Sequence, residues 1–232
     1  MKLDVELQIK EYDSVLSGYT VLLVFRLMNL CVKAEPASLL PVVVLFRGAE
    51  KKIEEVANVG VMADDQLDVY PFHDELLVPI GQAIMDVHPE FRQELKNVKI
   101  ENQEKELNFI RLHMPEVNDD RKKVLLDGVD NFGKVTKEQL DAAKSKYKVR
   151  VDQKLYKSSK DEIEEAKNRM DELYDQYSKR ADKAVEDKKK EIEEAYQLWL
   201  EKKAQKQMEM QEQQAASGDD VKSSMKMPQA NG

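Results

Sequence analysis

From Lys160 to about Lys206 the chain has no glycine and no proline, and its apolar residues recur every three or four positions through a charged background. Ile163, Ala166, Met170, Leu173, Tyr177, Ala181, Ala184 or Val185, Ile192, Ala195 or Tyr196, and Trp199 fall along one side of a helix at that spacing. Ser159 followed by Glu162 supplies a capping box at its start. A helix of roughly 45 residues is about 65 to 70 Å long. It outreaches a small domain and requires partners along its length.

Composition points the same way. Charged residues make up 35% of the chain and aromatics 6%, with only eight glycines among 232 residues, which favours long solvated helices over a compact enzyme. The net charge of −8 excludes a protein that simply coats nucleic acid. Cys31 is the only cysteine, so an intrachain disulfide is excluded, and its apolar surroundings predict a buried thiol. His73, His88 and His113 lack ligand spacing, so no metal site is expected, and no cofactor either. There is no glycine-rich phosphate loop and no nucleophile elbow, so no catalytic residues are assigned and no small-molecule substrate is expected.

Residues 3 to about 33 read as a first helix, polar at first and then apolar on several faces, as if buried against more than one neighbour. Ser14 to Val32 holds Arg26 as its only charge, but Ser17, Gly18, Thr20 and Asn29 favour a buried helix over a membrane span. Glu35 and Pro36 end it. Short β-type runs follow: Pro41 to Phe46, a turn at Arg47 and Gly48, a return over Lys51 to Glu55, then Val56 to Met62 and Gln66 to Tyr70. Asp74 to Asp86 reads as a short helix with Leu77, Ile80, Ala83 and Ile84 inward, and Glu106 to His113 as a final strand. Asn118 opens a second long helical pattern to about 157, in which Gly128 and Gly133 predict a local bend. Its short connection to the helix at Lys160 predicts an antiparallel pair. Residues 207–232 read as a frayed helix end and a disordered tail.

The expected fold class is therefore α+β: an elongated three-helix antiparallel bundle, from 1–33 and 114–206, with a small β-rich domain over 34–113 inserted between helix 1 and helix 2. This order resembles the ribosome recycling factor family, and particular words carry the resemblance. PASLLPVVV from Pro36, IEEVANVGV from Ile53, QLDVYPFH from Gln66 and VPIGQAI from Val78 resemble the family's inserted domain. IRLHMPEVNDDRKKVL from Ile110 resembles its return strand and the start of its second helix. The chain departs from the family at the end of the first helix, where CVKAE from Cys31 replaces an arginine-threonine-glycine-arginine-alanine run. It departs again in the second helix, where KSKYKVR from Lys144 replaces an arginine-rich run that faces ribosomal RNA.

From 134 to 157 the chain carries eight basic and three acidic side chains, enough to meet several phosphates with salt-sensitive binding, although a solvated helix face has the same look. The resemblance tips the balance toward RNA, with Lys144, Lys146, Lys148, Arg150 and Lys154 as the RNA-binding residues. Lysine keeps the attraction of arginine but loses its two-pronged geometry. By the same resemblance the chain is a non-enzymatic, monomeric factor that binds large-subunit rRNA of the post-termination ribosome. An elongation factor G-type GTPase then drives subunit separation through the inserted domain. A divergent member fits a mitochondrial or other organellar ribosome, otherwise the cytoplasm. Two rivals are a ribosome-associated assembly or stability factor that no longer recycles, and a helical scaffold pairing through the 160 to 206 stripe.

Overall fold

The computed structural model of the protein describes residues 3–99, 106–156 and 158–223, with side chains through residue 211. Three helices form the long part: α1 over Leu3–Met28, α4 over Asp119–Lys154 and α5 over Lys160–Ser223. Between α1 and α4 lie β1 over Val43–Phe46, β2 over Ala49–Lys52, a helical turn α2 over Ile53–Val56, β3 over Ala57–Ala63, β4 over Gln66–Pro71, α3 over Leu77–Val87, β5 over Arg92–Lys99 and β6 over Glu106–His113. No helix among the described residues is long and apolar enough to cross a membrane.

The capping signals in the sequence are used as written. The Ser159 amide donates to Glu162 Oε2 at 3.2 Å and the Glu162 amide to Ser159 Oγ at 3.3 Å, which satisfies two otherwise orphaned donors at the start of α5. Asn118 Oδ1 accepts from the Arg121 amide at 2.9 Å and starts α4 in the same way. The apolar stripes then meet. Ala166, Met170, Tyr177, Ala181 and Ile192 of α5 are buried with Ile9, Tyr12, Leu16 and Leu23 of α1 and Val129, Leu140, Tyr147 and Val151 of α4. Between Val185 and Ile192 the stripe is continued by Lys188, whose side chain is largely covered while its ammonium reaches Glu191 at 3.0 Å. Polar bonds reinforce the margins: Tyr177 donates to Asp13 Oδ1 at 2.7 Å, Tyr174 to Asp141, and Tyr196 to Asp119 at 2.6 Å.

Four expectations need correction. α1 ends at Met28 rather than near 33, because the next residues serve two cores: Cys31 and Ala34 are buried in the inserted unit while Val32 is buried in the bundle. Continuing the helix would not divide neighbours between two cores in that way. The apolar second half of α1 also has one buried face, not several, since the groove between α4 and α5 covers a single stripe. Val21 stays 66% exposed and Phe25 42%. The return strand expected over Lys51 to Glu55 stops at Lys52, and Ile53–Val56 is a helical turn instead. α4 is one helical span from Asp119 to Lys154, with Gly128 and Gly133 inside it. A methyl group on Gly133 would lie 3.0 Å from Val185 Cγ2, so this glycine serves close approach of α4 and α5. Finally α5 runs on to Ser223, past the end near 206; the expected tail beyond, 224–232, lies outside the described residues.

The inserted unit is a four-stranded antiparallel sheet in the order β3-β4-β6-β5, with the β1-β2 hairpin beside it. Arg47 and Gly48 both take positive φ, 51° and 79°, which gives that hairpin the tight turn its twist favours. The core joins Leu39, Val42, Ile53, Leu67, Val69, Ile80, Ile84 and Leu112. Pro79 is tolerated in the first turn of α3, where its missing amide hydrogen has no helical acceptor. β5 is not apparent from its sequence, RQELKNVK, because it is an edge strand: it pairs only with β6 and leaves Leu95 67% exposed. Beneath the sheet Asp68, fully buried, accepts two bonds of 2.7 Å from the directly opposite Arg111 and one of 3.2 Å from Tyr70. The buried carboxylate is paired as well as solvated by hydrogen bonds.

Candidate functional site

The five basic residues expected to meet RNA lie in the second half of α4, on either side of its buried stripe. Ala143, Tyr147 and Val151 point inward, so Lys144 and Lys148 border α5 while Lys146, Arg150 and Lys154 border α1. They form two edges instead of one row. Acidic residues on the neighbouring helices hold three of the five. Lys144 Nζ is 2.8 Å from Asp171 and stacks over the Tyr174 ring; Arg150 is 3.7 Å from Glu11; Lys154 is 3.7 Å from Asp4. Lys146 and Lys148 are exposed and have no acidic partner among the described residues; the Lys146 ammonium lies 5.7 Å from the Tyr147 ring centre.

The pairing weakens the simple electrostatic argument from composition. A lysine already neutralised by a carboxylate releases less counterion on meeting phosphate, although exposed pairs of this kind hold each other by less than about 1 kcal/mol and exchange partners readily. The outward side of α4 between the two edges carries Val149, 58% exposed, together with Asp152 and Tyr156. It is not a basic surface.

A second constellation lies at the seam between bundle and insert, among residues far apart in sequence. His88, 2% exposed, donates from Nε2 to the Ser38 carbonyl at 2.8 Å, while its Nδ1 is 3.2 Å from Glu90 Oε1 and 3.9 Å from Cys31 Sγ. Burial opposes charge on this imidazole, but Cys31, Glu90 and the Ser38 carbonyl together push it up to about 10. Arg121, on the first turn of α4, donates to the Cys31 carbonyl at 2.7 Å. Burial lowers its affinity for the proton, against the opposing pull of Glu90. Sequence spacing could not reveal this cluster: Cys31 and His88 stand 57 residues apart. The burial predicted for Cys31 is observed.

On the insert, Leu40, Val43 and Leu45 in and before the β1-β2 hairpin and Phe72 after β4 are exposed, between 46% and 65%. Apolar side chains in that number give the insert a surface suited to protein contact.

Known proteins share this arrangement of bundle and insert. Residues 27–192 match the family model described as Ribosome recycling factor, a span that takes in the end of α1, the whole insert, α4 and the first half of α5. The Ribosome-recycling factor of Clostridium tetani is 22% identical over 160 residues, covering 69% of this chain and 82% of its own. That of Granulibacter bethesdensis is 25% identical over 162 residues, covering 69% and 81%. Among solved structures, the solution structure of a ribosome recycling factor superposes with a TM-score of 0.67 at 19% identity, over 84% of this chain and all of that one. The T. thermophilus ribosome recycling factor, in a structure that sets it and E. coli elongation factor G on the E. coli post-termination complex, superposes with a TM-score of 0.53 at 20% identity, over 82% of this chain and 99% of that one.

Proposed function

The chain belongs to the ribosome recycling factor family, and from that premise we propose that it binds the post-termination ribosome and, with a translocase-type GTPase, promotes separation of the subunits. The observation that carries this proposal is that the family match runs unbroken from the end of α1 through the whole insert and α4 into the first half of α5, and so spans parts of both the bundle and the insert. In this reading the lysine edges of α4 meet large-subunit rRNA. Lys146 and Lys148 make the first contacts, and Lys144, Arg150 and Lys154 exchange Asp171, Glu11 and Asp4 for phosphate. The acidic insert, with Leu45 and Phe72 exposed, faces an elongation factor G-type GTPase. The protein acts as a monomer that makes and breaks no bond of its own. A mitochondrial or other organellar ribosome, otherwise the cytoplasm, is the proposed setting, because the chain diverges from the family's arginine-rich words at both Cys31 and Lys144.

Co-sedimentation with ribosomes across a salt series tests the binding. The Lys146→Gln, Lys148→Gln double variant is expected to weaken binding and to reduce the slope of log affinity against log salt by about 1.4 to 1.8, two charges' worth. No co-sedimentation of the parent chain at low salt would rule the proposal out. A subunit-splitting assay with the GTPase then separates recycling from its rival: stable binding without splitting would favour a role in large-subunit assembly or stability, to which the three internally paired cations lend weight.

A further inference from the structure

We propose that Cys31, His88 and Glu90 form a zinc(II) site at the seam between the bundle and the inserted unit. Their donor atoms, Sγ, Nδ1 and a carboxylate oxygen, all lie within 4.8 Å of one another, with Nδ1 3.9 Å from sulfur and 3.2 Å from Oε1. Zinc bonds of about 2.3 Å to sulfur and about 2.0 to 2.2 Å to nitrogen and oxygen place tetrahedral ligands about 3.3 to 3.6 Å apart. Two edges are therefore nearly the right length already. The third closes by rotation of Glu90, whose side chain is 36% exposed, while the buried Cys31 and His88 stay in place.

The surroundings of His88 are those of a metal-binding imidazole. Its far nitrogen donates to the Ser38 carbonyl at 2.8 Å, a bond that fixes the tautomer and directs the other nitrogen toward the metal. Phe91 stacks on the ring at 4.5 Å with only 6° between the planes, which holds its orientation. A thiolate, an imidazole and one carboxylate select zinc over magnesium or calcium, which favour sites built from oxygen alone. Glu90 brings the cluster to the solvent side, where water completes the four ligands.

Nearby Arg121 does not forbid a dication. Its guanidinium is held on the Cys31 carbonyl at 2.7 Å, and metal binding releases protons from its ligands, which offsets the added charge. The ligands come from the chain leading into the insert and from the turn between α3 and β5. Zinc would therefore tie that lead to the insert it serves and stabilise the folded arrangement by mass action.

The experiment is a titration of the full chain, freed of any affinity tag, with cobalt(II) as spectroscopic probe. One equivalent should bind with a thiolate-to-cobalt charge-transfer absorption that zinc(II) then abolishes. Cys31→Ser should remove that absorption, and Glu90→Gln, on the exposed side where folding is least at risk, should weaken cobalt binding at least about tenfold. Circular dichroism checks that each variant is folded. No charge-transfer absorption at stoichiometric cobalt overturns the proposal. So does an absorption that His88→Gln and Glu90→Gln leave unchanged, since the lone thiol would then be binding by itself.

Discussion

The bundle and the insert solve the same problem of burying a core with opposite distributions of polar bonds. The bundle is long and thin: every layer of its core is one residue from solvent, and its side-chain bonds sit along the margins, from Tyr177 to Asp13, Tyr174 to Asp141 and Tyr196 to Asp119. The insert is short and thick, with a closed apolar core and its strongest polar contact, Asp68 to Arg111, set into the sheet itself. A thin core divides its stability among many separate layers, whereas a closed one stands or falls as a unit.

The insert core is where a single substitution separates the two bodies most clearly. Leu112→Ala removes a fully buried side chain and should cost about 2 to 5 kcal/mol. Native-state hydrogen exchange should show β3, β4, β5 and β6 losing protection together while the middle of α4 keeps its own. Equal loss in α4 would mean that the two cores are one. Next in size, Tyr177→Phe deletes a marginal bond to a carboxylate and should cost about 1 kcal/mol in denaturant unfolding, with faster exchange confined to the neighbourhood of Asp13 and Tyr177. Lys154→Gln is expected to cost least, under about 0.5 kcal/mol, because its pair with Asp4 is long and open to water. A loss as large as that of Tyr177→Phe would show that the basic edges of α4 are part of the bundle's structure rather than a reserve for phosphate.

What the sequence reveals follows from the range over which each signal acts. Helix starts, hairpin turns and the α5 stripe are local, and Ser159, Asn118 and Gly48 act as their residue types dictate, whereas Arg47 takes a positive φ that the turn imposes on it. β5 is hidden because an edge strand buries little and so leaves almost no alternation to read. The division of Cys31 and Val32 between two cores, and the meeting of Cys31 with His88 and Glu90, depend on tertiary placement alone. Charge picks out the candidate RNA-facing residues, but charge cannot tell that Asp171, Glu11 and Asp4 on other helices answer three of them.

Two strands of chain enter the insert from the bundle, and both are fastened to the same β3-β4 turn: the Ala34 amide donates to the Asp64 carbonyl and the Met114 amide to the Asp65 carbonyl, each at 2.8 Å. A body hung from one strand can swivel about it. Hung from two, it swings most easily about the line joining them, as a door does about its hinges, and resists torsion about the other two axes. A push applied to the far side of the insert is thereby delivered to the bundle as a bending moment in one plane, at the ends of α1 and α4.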